Sequence, residues 1–131
     1  MSDYSNYVIE ELEKSQRALE DAEKMQDASV SDEAVVSRLY YALYHSIKAA
    51  LYSKGLNPKT HAGLVSQFGE HLLEEDGITK EDAKFVSISQ TRREEADYDY
   101  NPEIEEDIET ILNKTKQVID KMENLAESEI S

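Results

Sequence analysis

The sequence predicts an all-α protein, a five-helix up-and-down antiparallel bundle made by a single domain over residues 1–131. In five segments, apolar residues recur every three or four positions, which is the spacing of a helix with one buried face. Only four glycines and two prolines occur, and Gly55, Pro58 and Gly77 fall between these segments. No alternating β-branched run competes with this interpretation. A chain of 131 residues can bury one core but is too short for two.

The first two helices are expected at residues 4–27 and about 31–54. The core-facing stripe of the first helix is Tyr4, Val8, Leu12, Ser15, Leu19, Ala22 and Met25. That of the second is Val35, Leu39, Ala42, Leu43, Ser46, Ile47 and Ala50. Ser31 or Asp32 is the expected N-cap of the second helix, and Gly55 is the expected left-handed residue at its end.

The third and fourth helices are separated by a glycine. The third is expected to begin near Thr60 and to end at Gly77. Thr79 followed three residues later by Asp82 resembles a capping box, with Asp in place of the usual Glu. This pair predicts the start of the fourth helix.

The fifth helix is predicted from a cap and a long apolar stripe. Asn101 followed by Pro102 is typical of an N-cap and the first helical residue. The stripe is Ile104, Ile108, Ile111, Leu112, Val118, Ile119, Met122 and Leu125. The tail, about residues 126–131, is expected to fray.

The charge distribution singles out one segment. The chain is acidic, with a net charge of −15, yet none of its 29 acidic residues lies in residues 34–69. The segment carries four tyrosines and the following basic residues: Arg38, His45, Lys48, Lys54, Lys59 and His61. Because an acidic surface repels phosphate, RNA could be bound only locally, and this segment is the place for it. The acidic remainder could face a basic partner or maintain solubility.

Arg38 and His45 are the leading candidates for a catalytic pair. Seven residues apart on a helix, they lie about 20° apart on one face, in a stripe shared with Tyr41 and Tyr52. About 10 Å apart along the axis, they could grip two points of a phosphodiester, and a two-fold dimer would bring two stripes together. Histidine could act as general acid or base and arginine could stabilise the phosphorane in metal-independent RNA cleavage. The structural alternative is a buried hydrogen-bonding pair or a solvated edge.

A second cluster lies near the end of the fourth helix. Arg93 and Asp97 are spaced for an i,i+4 salt bridge, which is the favoured interpretation. Alternatively, Arg92 or Arg93 folds over the second helix and completes a phosphate site, with Tyr98 or Tyr100 as an aromatic rim.

A third cluster, Lys59 and His61, stands at a helix start, where free N–H groups favour an anion. A capping contact is the favoured interpretation for His61. Together, the candidate residues for binding RNA or phosphate are Tyr41, Lys48, Tyr52, Lys59, His61, Arg92 and Arg93. Tyrosine rings among them could stack on unpaired bases.

Several classes of protein are excluded at the level of motifs. There is no cysteine, no Glu-x-x-His or His-Glu-x-x-His, no Walker loop, no Rossmann glycine pattern and no Gly-x-Ser-x-Gly. An enzyme of this sequence would therefore need neither cofactor nor metal. No secretory leader pattern and no membrane-length apolar run is present, so we expect a cytoplasmic protein.

Three segments in order resemble the HEPN domain proteins of bacteria and archaea. They are SRLYYALYH at 37–45, KTHAGL at 59–64, and Arg93 through Ala96-Asp97-Tyr98. The resemblance implies a five-helix bundle that forms a homodimer and is encoded beside a minimal nucleotidyltransferase, as a toxin and antitoxin-like pair. Active members are metal-independent RNases with an Arg-x(4 to 6)-His motif, which Arg38 and His45 match. Tyr98 or Tyr100 would be the tyrosine open to nucleotidylation by that partner.

One departure from the family pattern divides the hypotheses. In many toxin members the motif lies late, as Arg-x4-His-x-Tyr, whereas here Asp97 stands where that histidine would be. An ionised aspartate repels phosphate and cannot replace imidazole as a proton shuttle. Because Arg38 and His45 both lie in the segment without acidic residues, the first hypothesis is a toxin-type ribonuclease that uses this pair, with Arg92 or Arg93 assisting. The alternative is a non-catalytic subunit that binds RNA or nucleotide and regulates a nucleotidyltransferase.

A third hypothesis is a helical interaction protein with no nucleic-acid role. One observation separates catalysis from structure. A catalytic His45 should be partly open to solvent beside Arg38, near a dimer seam, whereas a structural one should be buried and hydrogen-bonded.

Overall fold

In the part of the chain that the structure describes, five helices form an all-α bundle, as predicted. The computed structural model describes residues 4–73, 75, 77–98 and 106–130, and within this part of the chain every regular element is helical. The helices are α1 (Ser5–Asp27), α2 (Asp32–Ser53), α3 (His61–Gln67), α4 (Lys80–Tyr98) and α5 (Ile108–Ile130), and a π-helical turn (Phe68–Leu72) continues α3. No helix in the described ranges is long and apolar enough to cross a membrane.

Helix α2 is the centre of the bundle and packs on α1, α4 and α5. Its apolar side supplies much of the core: Val35, Val36, Leu39, Leu43, Ile47, Ala50 and Leu51. Each fully buried leucine or isoleucine contributes about 2 kcal/mol of transfer free energy. Small residues let α1 approach closely, and the hydroxyl of Ser15 donates to the carbonyl of Ala42 at 2.8 Å. This close contact places α1 beside the stripe of α2 that carries Tyr41, His45 and Tyr52.

The predicted caps of α2 and α4 are confirmed. Ser31 accepts from the Ala34 amide at the start of α2. At its other end Gly55 has a φ of +80°, the left-handed conformation that glycine adopts without strain. In α4, Thr79 and Asp82 exchange side-chain to backbone hydrogen bonds of 3.0 and 3.1 Å, which is the reciprocal capping box.

Two predicted segments differ from the structure. The third helix changes to a π-helical turn after Gln67, which places both Phe68 and Leu72 in the core. The helix containing Ile108 does not begin at Pro102, because the two residues before Ile108 are not helical and the carbonyl of Asp107 accepts the first hydrogen bond, from Ile111. Asn101 and Pro102 themselves lie outside the described residues.

The predicted frayed tail is wrong over most of its length. Helix α5 continues past Leu125 to Ile130. Ala126 is fully buried against Val8 and Tyr52, and Lys54 binds Glu129 at 3.0 Å. These contacts with the ends of α1 and α2 hold the last turns of α5 in place.

Candidate functional site

His45 is buried in the seam between α1 and α2. Only 6% of it is exposed, and its Nδ1 is hydrogen-bonded to Oε2 of Glu11, which is 5% exposed. Two lysines flank the same carboxylate, with Lys14 Nζ at 3.6 Å and Lys48 Nζ at 3.9 Å from Oε1. This is the arrangement that we expected of a structural histidine.

The carboxylate of Glu11 remains ionised in this buried position. Burial raises its pKa, but the hydrogen bond from His45 and the charges of His45, Lys48 and Lys14 lower it by more, so the pKa lies below its ordinary value. A buried carboxylate of this kind is stable only because it is paired. Because Glu11 holds Nδ1, the Nε2 atom is the nitrogen of His45 left for any ligand.

Sequence reasoning did not find Glu11. The prediction placed Leu12 in the core stripe of α1, whereas Glu11 is buried there and Leu12 is only half-buried. The signal was present: Glu11 follows Val8 by three residues and precedes Ser15 by four, and both of these are buried. A charged residue at core spacing indicates a buried partner, although it does not say which one.

Arg38 and Arg93 line one groove, which we call the arginine groove. It has a volume of about 540 Å³, and its lining consists of Met25, Ala34, Ser37, Arg38, Tyr41 and Arg93. Arg38 is exposed, and its Cζ lies 5.3 Å from the centre of the Tyr41 ring. Tyr41 is 43% exposed, and its ring is 4.3 Å from that of His45. Tyr41 therefore stands between the exposed arginine and the buried histidine.

An aromatic cluster beside the arginine groove connects α3 to α2. His61 stacks on Tyr44 with 4.4 Å between ring centres, and its Nδ1 shares a hydrogen bond of 2.9 Å with the Tyr40 hydroxyl. The Cζ of Arg93 lies 5.6 Å from the Tyr40 ring centre. Packing of α4 against α2 thus brings Arg93, which belongs to the cluster near the end of α4, into contact with the segment 34–69 that has no acidic residue.

Charges of both signs act on this cluster, and the cations outnumber the acid Glu94 around His61. The pKa of His61 lies below its ordinary value because of burial and the charges of Arg93, His45 and Lys48, although Glu94 opposes them. Burial raises the pKa of Tyr40 to about 12, against the opposing charge of Arg93, so its hydroxyl stays protonated at neutral pH. An anion bound here would meet Arg93 and the protonated Tyr40 hydroxyl, with Glu94 as the opposing charge.

Several predicted site residues are placed differently. His61 does not cap α3, because the Thr60 hydroxyl accepts from the Gly63 amide at 2.8 Å and His61 is the first helical residue. Arg92 binds Glu106 and lies in contact with a small cavity beside Val36, away from the arginine groove.

The remaining predicted residues are distributed as follows. Lys59 is exposed next to the cap of α3. Tyr52 is buried near the start of α1. The side chains of Asp97 and Tyr98, and all of Tyr100, lie outside the described residues, so the Arg93–Asp97 salt bridge and the nucleotidylation site stay predictions. Among the residues that the structure describes, no group of three acidic or histidine side chains could hold a metal ion.

Comparison with known proteins identifies relatives over most of the chain. Residues 8–125 match the HEPN domain family. "Putative toxin MJ0605" of Methanocaldococcus jannaschii is 37% identical over 87 residues, which are 66% of this chain and 65% of that protein. "Putative toxin MJ0142" of the same organism is 33% identical over 104 residues, 79% of this chain and 70% of that protein. A "UPF0332 protein" of Archaeoglobus fulgidus is 30% identical over 118 residues, covering 84% of this chain and 93% of the relative.

Proposed function

Because the chain belongs to the HEPN domain family, we propose that it is the HEPN member of a toxin–antitoxin-like pair and binds RNA or a nucleotide in the arginine groove. The observation that carries this proposal is the convergence of Arg38, Arg93 and the exposed Tyr41 on one groove of a strongly acidic protein. Two guanidinium groups suit a phosphodiester, and an exposed aromatic ring suits an unpaired base.

The surroundings of the groove support binding rather than catalysis as the first proposal. His45 is buried and held by Glu11, so the group best suited to proton transfer is not open to solvent in the single chain. Arg93 and Lys48, whose charges act on His61, would instead attract phosphate. We therefore propose a non-catalytic HEPN subunit that works with a minimal nucleotidyltransferase and regulates it.

The names of two relatives support the toxin–antitoxin setting, since both carry the words "Putative toxin". The nucleotidyltransferase partner and the homodimer rest on the family resemblance. For the dimer, static light scattering should return twice the chain mass of 14.9 kDa. A single-chain mass at micromolar concentration would contradict it.

A metal-independent ribonuclease is the second candidate, and the Glu11–His45 pair favours it. Fixing Nδ1 directs Nε2 toward a proton-transfer role, and Tyr41 links His45 to Arg38. In that reaction the 2′-oxygen would attack phosphorus as Nε2 takes its proton. The bond to the 5′-oxygen would break, and this oxygen would take the proton back from the imidazolium, which leaves the histidine neutral again. The products would be a 2′,3′-cyclic phosphate and a 5′-hydroxyl. A dimer or a bound RNA would have to open the path to His45.

One experiment tests both candidates. A labelled single-stranded RNA is mixed with the protein in EDTA, and retention on a filter and cleavage are measured from the same sample over a salt series. Salt-sensitive retention of intact RNA is the expected result. Cleavage that His45→Gln and Arg38→Ala both abolish, in folded variants, would establish the ribonuclease instead. Neither retention nor cleavage would contradict both candidates and favour a protein without a nucleic-acid role.

A further inference from the structure

Three tyrosines form a second aromatic surface beside the seam between α1 and α2, which we call the Tyr7 cluster (Tyr4, Tyr7 and Tyr52). The ring centres of Tyr4 and Tyr7 lie 5.1 and 5.6 Å from that of Tyr52, and 5.9 Å from one another. Tyr52 is buried, with 8% exposed, whereas half of Tyr7 is exposed. Tyr7 is thus an open ring whose position is fixed by two neighbouring rings.

Lys48 connects the Tyr7 cluster to the aromatic residues beside the arginine groove. Its Nζ lies 5.7 Å from the ring centre of Tyr44 and 5.7 Å from that of Tyr52, so the same ammonium group contacts one ring of each cluster. Lys14 adds a second cation on α1, with 42% of its side chain exposed. The carboxylate that these lysines flank, Glu11, is buried and already paired with His45. Two lysines, Lys48 and Lys14, therefore lie between the exposed rings of Tyr41 and Tyr7.

The distance along α2 between the arginine groove and the Tyr7 cluster decides which kind of ligand could contact both. Tyr41 and Tyr52 are eleven residues apart on α2, which is about 16 Å along the helix axis. A single nucleotide in the arginine groove could not reach the Tyr7 cluster, whereas a strand of several nucleotides could contact both. Stacking on protein rings requires unpaired bases, because a duplex already covers the faces of its bases.

We propose that the Tyr7 cluster is a second base-stacking site, and that the ligand is single-stranded RNA running along α2 from the arginine groove, over Lys48, to Tyr7. This inference rests on the proposed RNA binding in the groove and names its ligand. It assigns to α1 a part in recognition that the residues of α2 do not supply alone. The free nucleotide and double-stranded RNA become the weaker ligands.

The test compares RNA length and one exposed tyrosine. Fluorescence anisotropy is measured with a labelled uridine dinucleotide, a labelled uridine octanucleotide and a labelled hairpin duplex. Wild type should bind the octanucleotide more tightly than either of the others. Tyr7→Ala should weaken octanucleotide binding roughly tenfold and leave dinucleotide binding unchanged, because only the longer RNA reaches this ring to stack on it. Tyr7→Phe should restore the affinity.

The matched control is Ile9→Ala, which removes a large apolar side chain of similar exposure, 48%, from the same helix. It should bind all three RNAs like wild type. Equal affinity of wild type for the dinucleotide and octanucleotide, or an octanucleotide affinity unaffected by Tyr7→Ala, would overturn the inference while leaving the groove intact. Absence of binding at every length would overturn the proposed function together with the inference.

Discussion

Arg38→Ala and Arg93→Ala should each weaken RNA binding about tenfold or more, and the double variant about 100-fold, since a charge-assisted hydrogen bond contributes about 1.5–3 kcal/mol. Both side chains line the arginine groove. The slope of log affinity against log salt concentration should also fall by about 0.7 for each phosphate of the single strand that no longer pairs with an arginine. Anisotropy titrations at several salt concentrations measure both effects.

The control for this prediction is Arg17→Ala. It removes the same charge from α1, but Arg17 lines a different groove, between α1 and α5. Because Arg17 lies outside the arginine groove, its removal should have only a nonspecific charge effect. The RNA affinity of Arg17→Ala should therefore stay within about twofold of that of wild type. Arg93→Lys distinguishes charge from shape, since lysine keeps the charge but cannot make the two parallel hydrogen bonds of a guanidinium. An equal decrease in affinity for Arg17→Ala and Arg38→Ala would contradict a localised site.

Asp82→Ala should lower the stability of the protein by about 3 kcal/mol, because it removes a buried carboxylate and leaves its partners unpaired. The Asp82 side chain accepts from the Thr79 amide at 3.0 Å, from Lys114 at 3.0 Å and from Lys121 at 2.7 Å. It thus caps α4 and joins it to α5. At pH 7 the melting temperature should fall by about 10 °C. Glu81→Ala, which removes an exposed acid from the same turn, should change stability by less than about 0.5 kcal/mol.

The effect of Asp82 should depend on pH in one direction. Burial raises its pKa, but Lys121, the Thr79 amide and Lys114 lower it by more, so the pKa in the folded protein is below the ordinary value of about 4. A lowered pKa means that the stabilisation is complete above about pH 4 and is lost as the pH falls through the folded-state pKa. The difference in stability between wild type and Asp82→Ala should therefore shrink below about pH 4. A difference that grows on acidification would contradict the assignment.

The parts of the fold that depend on local chemistry could be predicted from the sequence. The Thr79–Asp82 capping box and the left-handed Gly55 depend only on residues within one helical turn, and both predictions are confirmed. The start and end of α5 could not be predicted in this way. The last turns of α5 are held by residues that are distant in the sequence, at the start of α1 and the end of α2. The contact of Lys54 with Glu129 is one example.

The candidate site shows the same division. Helical spacing alone places Arg38, Tyr41 and His45 on neighbouring positions of α2, and their contacts in the structure agree with this. The choice between Arg92 and Arg93 depends on the rotation of α4 against α2, which a single stripe of apolar residues does not determine. The pairing of His45 with Glu11 depends on the register of α1 against α2, for the same reason.

The most direct test of the central claim, that RNA binds in the arginine groove, is photo-crosslinking of a 5-bromouridine oligonucleotide to the protein, followed by mass spectrometry of the linked peptide. The ring of Tyr41 is exposed in this groove, so the crosslink should map to Tyr41, and removal of both Arg38 and Arg93 should abolish it. A crosslink confined to α5, or a Tyr41 crosslink that survives the removal of both Arg38 and Arg93, would contradict the claim.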